Sequence, residues 1–191
     1  MGAVAAFIGT AALAVVLTRA PADNDVSLSS EVSGRVCSTS GLEAWLGAAG
    51  AAGAAGAARS ARETSYALEF TNVSGRACSL YGYPEVSAYR DSAVAGGPIG
   101  GAAIRDTSVR PRPVMLEPGA TAHAVLRVTA ATRPAGCAAV TAEELQVRLP
   151  RQDRPSFVPV NIPVCSQRGH VSLSVQAIQA RPGVPGRVVT P

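Results

Sequence analysis

Lysine is missing from this chain: all 17 basic residues are arginine. Aromatic residues make up only 4% of the sequence, and there are just two histidines and four cysteines. Each scarcity excludes something. Without lysine, and without a strand-to-helix setting for its glycines, the chain holds no phosphate-binding loop. With so few aromatics, the arginines are not interleaved with rings, as readers that stack on bases require, and no nucleic-acid partner is expected. The core must then be built from Val, Leu, Ile and Ala. A nucleophile needs a base, and only His123 and His170 are available; no GxSxG-type context presents a serine. The chain therefore reads as no enzyme, with no catalytic residue. No CxxC or close Cys/His spacing offers a zinc site. Met115, His123 and His170 are ligand types suited to copper, but nothing in the sequence brings them together, and the simpler reading is one core Met and two surface imidazoles. Neither a cofactor nor a metal is expected.

Long hydrophobic runs are also lacking. The longest, residues 3–17, has 15 residues, short of the roughly 20 needed to span a membrane but suited to the core of a signal peptide. Thr18, Arg19 and Ala20 form a small-x-small cleavage site; Pro21 hinders it, and Ala22 is the alternative. Because no positive charge precedes the run, an uncleaved membrane anchor is the other reading. Residues 1–25 are thus a signal peptide or an N-terminal membrane anchor, and residues 26–36 a polar tether. Both readings put the remainder outside the cytoplasm, secreted or anchored on the outer face of the cytoplasmic membrane.

What is present is alternation. Tyr66, Leu68 and Phe70 alternate with Ala67, Glu69 and Thr71, which predicts a strand over 65–72 with one face buried and one wet. Asn72, Ser74 and Gly75 supply turn chemistry, with Gly75 taking a positive φ. A strand resumes over 76–81, pointing Cys78 and Leu80 inward, and 86–89 is extended again. Residues 42–46 and 109–116 read as further strands, the latter confined to an edge by Pro111 and Pro113. Pro118 and Gly119 fit the centre of a type II turn. Over 121–129, Ala122, Ala124, Leu126 and Val128 face inward while Thr121, His123 and Arg127 face out. Three more alternating runs follow, at 145–149, at 158–164 with the edge signals Pro159 and Pro163, and at 171–176. Between them lie a Gly/Ala-rich loop over 47–62 and a Gly-rich loop over 91–101. Seven to nine short strands with turn signals between them predict an all-β, immunoglobulin-like antiparallel β-sandwich over 37–180, followed by a Pro/Gly-rich tail over 181–191.

One block is more specific than alternation. Thr71, Asn72, Ser74, Gly75, Cys78, Leu80, Gly82, Tyr83 and Pro84 form a TN-x-S-G-x-x-C-x-L-x-G-Y-P pattern, preceded by Cys37. Leu116, Pro118, Gly119 and Ala122 then form an L-x-PG-x-x-A pattern, followed by Cys137 and Cys165. In this the chain resembles domain of unknown function 4232, a family of secreted and lipoprotein chains from actinobacteria, over roughly residues 37–177. The resemblance implies an extracytoplasmic β-sandwich and no particular activity. The chain departs from the pattern at Glu85, where a small residue is expected, and in having no cysteine near residue 20 for lipid attachment.

Four cysteines in an exported chain predict two disulfides. Three pairings exist; Cys37 with Cys78 and Cys137 with Cys165 is favoured, since each pair then brackets one half of the strand list. Asn72-Val73-Ser74 matches a glycosylation sequon but is more simply the hairpin turn.

The net charge of +4 is unevenly placed: from Arg105 onward there are 11 arginines and five acids. The bland reading is a solvated surface in an arginine-biased proteome. The functional one is a basic face for anionic polymer of the cell envelope. The expectation is a non-catalytic module binding an unidentified envelope polymer or extracytoplasmic protein, with Tyr81, Tyr83, Arg148, Arg151 and Arg154 as candidate surface contacts. The alternative is a regulator or inhibitor of an extracytoplasmic enzyme, with the 47–62 loop inserting into it. Tyr83 has a plainer role open to it as well, packing beside Pro84 in the turn.

Overall fold

A computed structural model describes residues 34–47, 63–91, 96–129 and 137–183. The leader, residues 48–62 of the Gly/Ala-rich loop and residues 184–191 of the tail lie outside the described residues. Among those described, strands β1 (Leu42–Leu46), β2 (Glu63–Asn72), β3 (Cys78–Leu80), β4 (Glu85–Tyr89), β5 (Ile104–Asp106) and β6 (Val114–Leu116) are followed by β7 (Thr121–Thr129), β8 (Ala139–Arg148), β9 (Ser156–Cys165), β10 (Leu173–Gln176) and β11 (Gln179–Ala180). A single 3-10 turn, Thr39–Gly41, leads into β1.

The strands form a two-layer sandwich. One sheet runs β1-β2-β7-β10-β5, with β11 continuing β10 along β7; the other runs β4-β8-β9. The alternation explains the layering. Leu68 and Phe70 of β2, and Ala122, Ala124, Leu126 and Val128 of β7, meet Val86 and Ala88 of β4, Leu145 and Val147 of β8, and Val158, Ile162 and Val164 of β9 in one buried cluster. The short β3–β6 ribbon adds Cys78, Leu80, Val114 and Leu116 to that core. Apart from Phe70 and the cysteines, aliphatic residues fill it, as the shortage of aromatics requires.

The two motif blocks meet at Asn72, which is fully buried. Its side-chain amide donates to the Arg76 and Leu116 carbonyls, both at 2.9 Å, and its oxygen accepts from the Ser74 N–H and hydroxyl, at 3.0 and 2.7 Å. Its backbone carbonyl accepts the Gly119 N–H at 2.7 Å. One side chain thus holds the first turn closed and ties it to the strand leading into the second. Because both hydrogens of the amide are engaged in the interior, the sequon is structural. Gly119 has φ 78°, and Ala120 N–H bonds the Glu117 carbonyl, as a type II turn requires. Gly75 does not take the expected positive φ; the Asn72–Ser74 bonds close this turn without it.

Both disulfides are formed, Cys37–Cys78 and Cys137–Cys165, closing loops with sequence separations of 41 and 28. This fits an oxidising, extracytoplasmic environment. Among the described residues no helix is long and apolar enough to cross a membrane. Residues 34–36, which composition assigned to the tether, belong structurally to the β3 ribbon: Val36 bridges Ser79 in parallel, and the Ser79 N–H and hydroxyl bond the Arg35 and Gly34 carbonyls.

Several features depart from expectation. The end of the expected 91–101 loop is not simply a loop, and the chain stays paired on to residue 106. Ile99 and Ala103 N–H groups bond the Ala88 and Val86 carbonyls along the edge of β4, and β5 then pairs in parallel with β10 on the other sheet. One segment therefore covers an edge of each layer. It passes so near the 165–170 loop that a Cβ on Gly100 (φ 68°) would lie 2.7 Å from the His170 carbonyl oxygen and 2.9 Å from that of Cys165. Only β6, not the whole of 109–116, is strand. The face of β2 expected to be wet is closed: Ala67, Glu69 and Thr71 are all buried. His123, expected at the surface, is 8% exposed. The chain beyond β11 turns back over this face, so that the His123 ring donates through Nδ1 to the Arg181 carbonyl at 2.8 Å and lies against Gly183. Met115, expected in the core, is 47% exposed, because it shares the outward face of the ribbon with Ser79.

Candidate functional site

The five residues singled out in the sequence gather at one end of the β4-β8-β9 sheet. Tyr81 and Tyr83 lie in the link between β3 and β4; Arg148 ends β8, and Arg151 and Arg154 lie in the β8–β9 connection. Gly82 brings the two links together. With φ 100° it lets the backbone pass so close that a Cβ there would stand 3.1 Å from the Pro150 ring, and its carbonyl accepts the Ile178 N–H at 2.9 Å. The β8–β9 connection is held from its other side by Gln152, whose amide donates to the Cys37 carbonyl at 2.8 Å and accepts from Thr39 N–H at 3.2 Å. The Thr39 hydroxyl donates to the Arg154 carbonyl at 2.9 Å. These bonds fix the backbone that carries Arg151 and Arg154 while leaving their side chains exposed.

Tyr81 is 51% exposed. Tyr83 has the plainer role in addition to any other: half-buried, it donates its hydroxyl to the Val109 carbonyl at 3.0 Å. Its ring carries the Arg105 guanidinium 5.8 Å from the centroid, within the range of a cation–π contact worth about 0.5–1 kcal/mol at an exposed site. Arg105 in turn lines a pocket of about 380 Å³ with Glu85, Ser87, Ala102, Ala103, Gln146 and Arg148. The register explains the grouping. Glu85 is opposite Arg148 and Ser87 opposite Gln146, so all four share the outward face of β4 and β8, and the 99–106 segment walls the pocket along the β4 edge.

The site has an excess of basic side chains over acidic ones. Arg105, Arg148, Arg151 and Arg154 are exposed and form no ion pair among the described residues. Glu85 and Arg148 face one another across the register without closing one. The contrast is Arg127, on the outward face of the larger sheet, which is bound by Asp106 and by Glu63 at 3.2 Å. There, burial pushes the Asp106 carboxyl up, but the Ser108 hydroxyl and N–H, the Gln176 amide and the Arg127 charge outweigh it and bring the group down to about 2.

The sequence reading missed Arg105, Glu85, Ser87 and Gln146 as members of the site. Gln146 and Arg148 show in the alternation against Leu145 and Val147, but which residues of another strand they face is a matter of register. Arg105 carried no signal, since β5 is three residues long and lies just beyond the Gly-rich loop in a stretch assigned to no element. Among the described residues no three His, Cys, Asp or Glu side chains cluster as metal ligands. Residues 48–62, the element of the inhibitor reading, lie outside the described residues.

Other concavities flank the Asn72 turn. One, of about 600 Å³, includes Arg35, Ser38 and Arg76; another, of about 360 Å³, lies between residues 71–75 and the Pro118-Gly119 turn.

Comparison with curated proteins and with solved structures finds no match. The model of one family, described as a domain of unknown function (DUF4232), matches residues 37–181, which include both motif blocks meeting at Asn72 and all four cysteines, and the chain belongs to that family.

Proposed function

We propose that this chain is a non-catalytic binding module of the cell envelope, secreted or held at the outer face of the cytoplasmic membrane, that takes an anionic envelope polymer at its arginine-rich end. The observation that carries this reading is the set of four exposed arginines, Arg105, Arg148, Arg151 and Arg154, at one end of the sandwich, none of which closes an ion pair among the described residues. A cluster of one sign raises the local concentration of oppositely charged ligand and speeds its capture. The non-catalytic part of the reading draws on His123, which is committed to the Arg181 carbonyl in the interior. No described residue favours the alternative of an enzyme inhibitor.

The test is retention of the oxidised full chain on a cell-wall fraction at low and at high salt. Exposed charges more than about 10 Å apart are screened at 0.1 M ionic strength, so binding through this cluster is expected to fall steeply as salt rises. Retention on a single protein that persists at high salt, with none on wall polymer, overturns the proposal.

A further inference from the structure

The pocket that Arg105 and Arg148 line, which Arg151 and Arg154 do not reach, has more chemistry than a basic patch needs. Resting on the envelope-polymer reading above, we infer that the pocket lined by Arg105, Arg148, Glu85, Ser87 and Gln146 is a subsite for one acidic sugar unit of that polymer, a polyhydroxylated ring bearing a carboxylate or phosphate. Three observations converge on it. Arg105 and Arg148 line the same pocket from different strands, and neither guanidinium is held by an acid. Two such forks suit an anionic group, because charge-assisted bonds from arginine are the strong ones. Arg105 is already oriented by the Tyr83 ring, which is itself held through its hydroxyl by the Val109 carbonyl, so less freedom is lost on binding.

Glu85 is the second observation. A site for anions alone would not include a carboxylate, yet Glu85 stands opposite Arg148 on the same rim. A carboxylate is acceptor-only, so it calls for a ligand that carries hydrogen-bond donors, which on a sugar are its hydroxyl groups. Ser87 and Gln146, opposite one another in the next outward row, add a hydroxyl and an amide that both donate and accept. Ala102 and Ala103 are the third observation: they give the wall along the β4 edge a small apolar surface, against which the C–H face of a ring can lie. An anion-binding fork, hydroxyl acceptors and a short apolar wall together match an acidic sugar better than a polyanion with no hydroxyl groups. At about 380 Å³ the pocket falls in the range of small-molecule sites.

The experiment is calorimetric titration of the oxidised full chain at low salt with four probes. Trigalacturonate carries carboxylate and hydroxyls, its methyl ester keeps the hydroxyls and loses the charge, polyglutamate has carboxylates without a ring, and mannose 6-phosphate replaces the carboxylate by phosphate. Trigalacturonate or mannose 6-phosphate is expected to bind, and which of them binds identifies the acidic group. The methyl ester and polyglutamate are expected to bind at least about ten-fold more weakly, since losing a hydrogen bond to a charged group costs about 1.5–3 kcal/mol. Arg105→Ala and Arg148→Ala should each weaken the preferred probe about ten-fold or more. Glu85→Gln should narrow the preference for the acidic sugar over polyglutamate. Arg76→Ala, which removes the same charge beyond the other end of β3, should leave binding unchanged. Far-ultraviolet circular dichroism of each variant checks that the fold is retained.

Polyglutamate bound as tightly as trigalacturonate, or binding lost in Arg76→Ala and kept in Arg105→Ala, overturns the subsite and leaves the envelope-polymer reading standing if wall retention persists. No binding of any acidic probe, together with no salt-sensitive retention on wall material, overturns both.

Discussion

Replacing Asn72 by alanine removes four hydrogen bonds at once: two donated to the carbonyls of Arg76 and Leu116, and two accepted from Ser74. At a net contribution of about 1 kcal/mol each, and with the bond to Leu116 buried, Asn72→Ala should cost about 3–4 kcal/mol. This is a large share of the ~5–15 kcal/mol that holds a typical domain together. In urea, with a slope of about 2 kcal/mol per molar for a domain of this size, the midpoint should fall by about 1.5–2 M with the slope unchanged. Asn72→Asp is the sharper variant. It keeps the oxygen that accepts from Ser74, but turns a second acceptor, charged at neutral pH, toward two carbonyls. It should therefore be less stable than Asn72→Ala at pH 7. The gap should narrow on acidification, when the protonated carboxyl regains one donor. Urea curves under oxidising conditions at pH 7 and pH 4 decide the matter. A loss below about 1 kcal/mol in Asn72→Ala, or an aspartate variant as stable as wild type at pH 7, refutes the claim that this amide joins the two turns.

The remaining predictions concern other parts of the sandwich. Asp106, with a folded value of about 2 against an ordinary value of 3.8, contributes stability that is present above about pH 3.8 and lost as the pH falls through 2. In acid titrations Asp106→Asn should flatten that window by about 2 kcal/mol; an unchanged acid limb refutes the assignment. Gly100→Ala and Gly119→Ala both place a side chain at positive φ, which costs about 1–2 kcal/mol. Only at Gly100 would the new Cβ also meet two backbone oxygens, whereas nothing lies within 4 Å at Gly119; thermal melts should rank Gly100→Ala clearly lower, and equal losses count against the close approach. Loop-closure entropy assigns about 4 kcal/mol to Cys37–Cys78 and about 3.6 kcal/mol to Cys137–Cys165. Paired Cys→Ser variants should each lower the urea midpoint, and a pair whose removal costs nothing would show that its unfolded loop is already restrained.

How far the sequence carries depends on the range of the forces involved. Period-2 alternation in β2, β7 and β9 locates these strands almost to the residue, because facing a core is a local property of each side chain. What it cannot tell is which outward faces stay wet. His123 reads as exposed on its own strand and is buried because Arg181 and Gly183, nearly sixty residues later, fold back over it. Strand β5 is invisible for a related reason: three residues beside a Gly-rich stretch acquire strand geometry only because β10 offers an edge. The same limit applies to the site. The arginine excess after residue 105 is plain in the sequence, but the meeting of Arg105, Arg148 and Glu85 requires a register and a strand that switches sheets.

The family signature and the site use different residues, and this bears on function. Asn72 and Ser74 close a turn, Cys78 and Leu80 enter the core, Gly82 permits close packing on Pro150, and Pro118 and Gly119 form the second turn. Each has its role in folding, so the pattern that identifies the family describes how the sandwich is built. The arginines, Glu85, Ser87 and Gln146 lie outside that pattern, on outward positions of β4 and β8 and in connections where a side chain can change without disturbing the core. Only Tyr83 belongs to both sets, with its hydroxyl fixed to Val109 and its ring beneath Arg105. It is the one signature residue through which the scaffold reaches the pocket. Glu85, at a position where the sequence reading expects a small residue, brings the carboxylate to this pocket. Glu85→Gly should then let the pocket take polyanions with less regard for hydroxyl groups, read as a narrower gap between the affinities for trigalacturonate and polyglutamate.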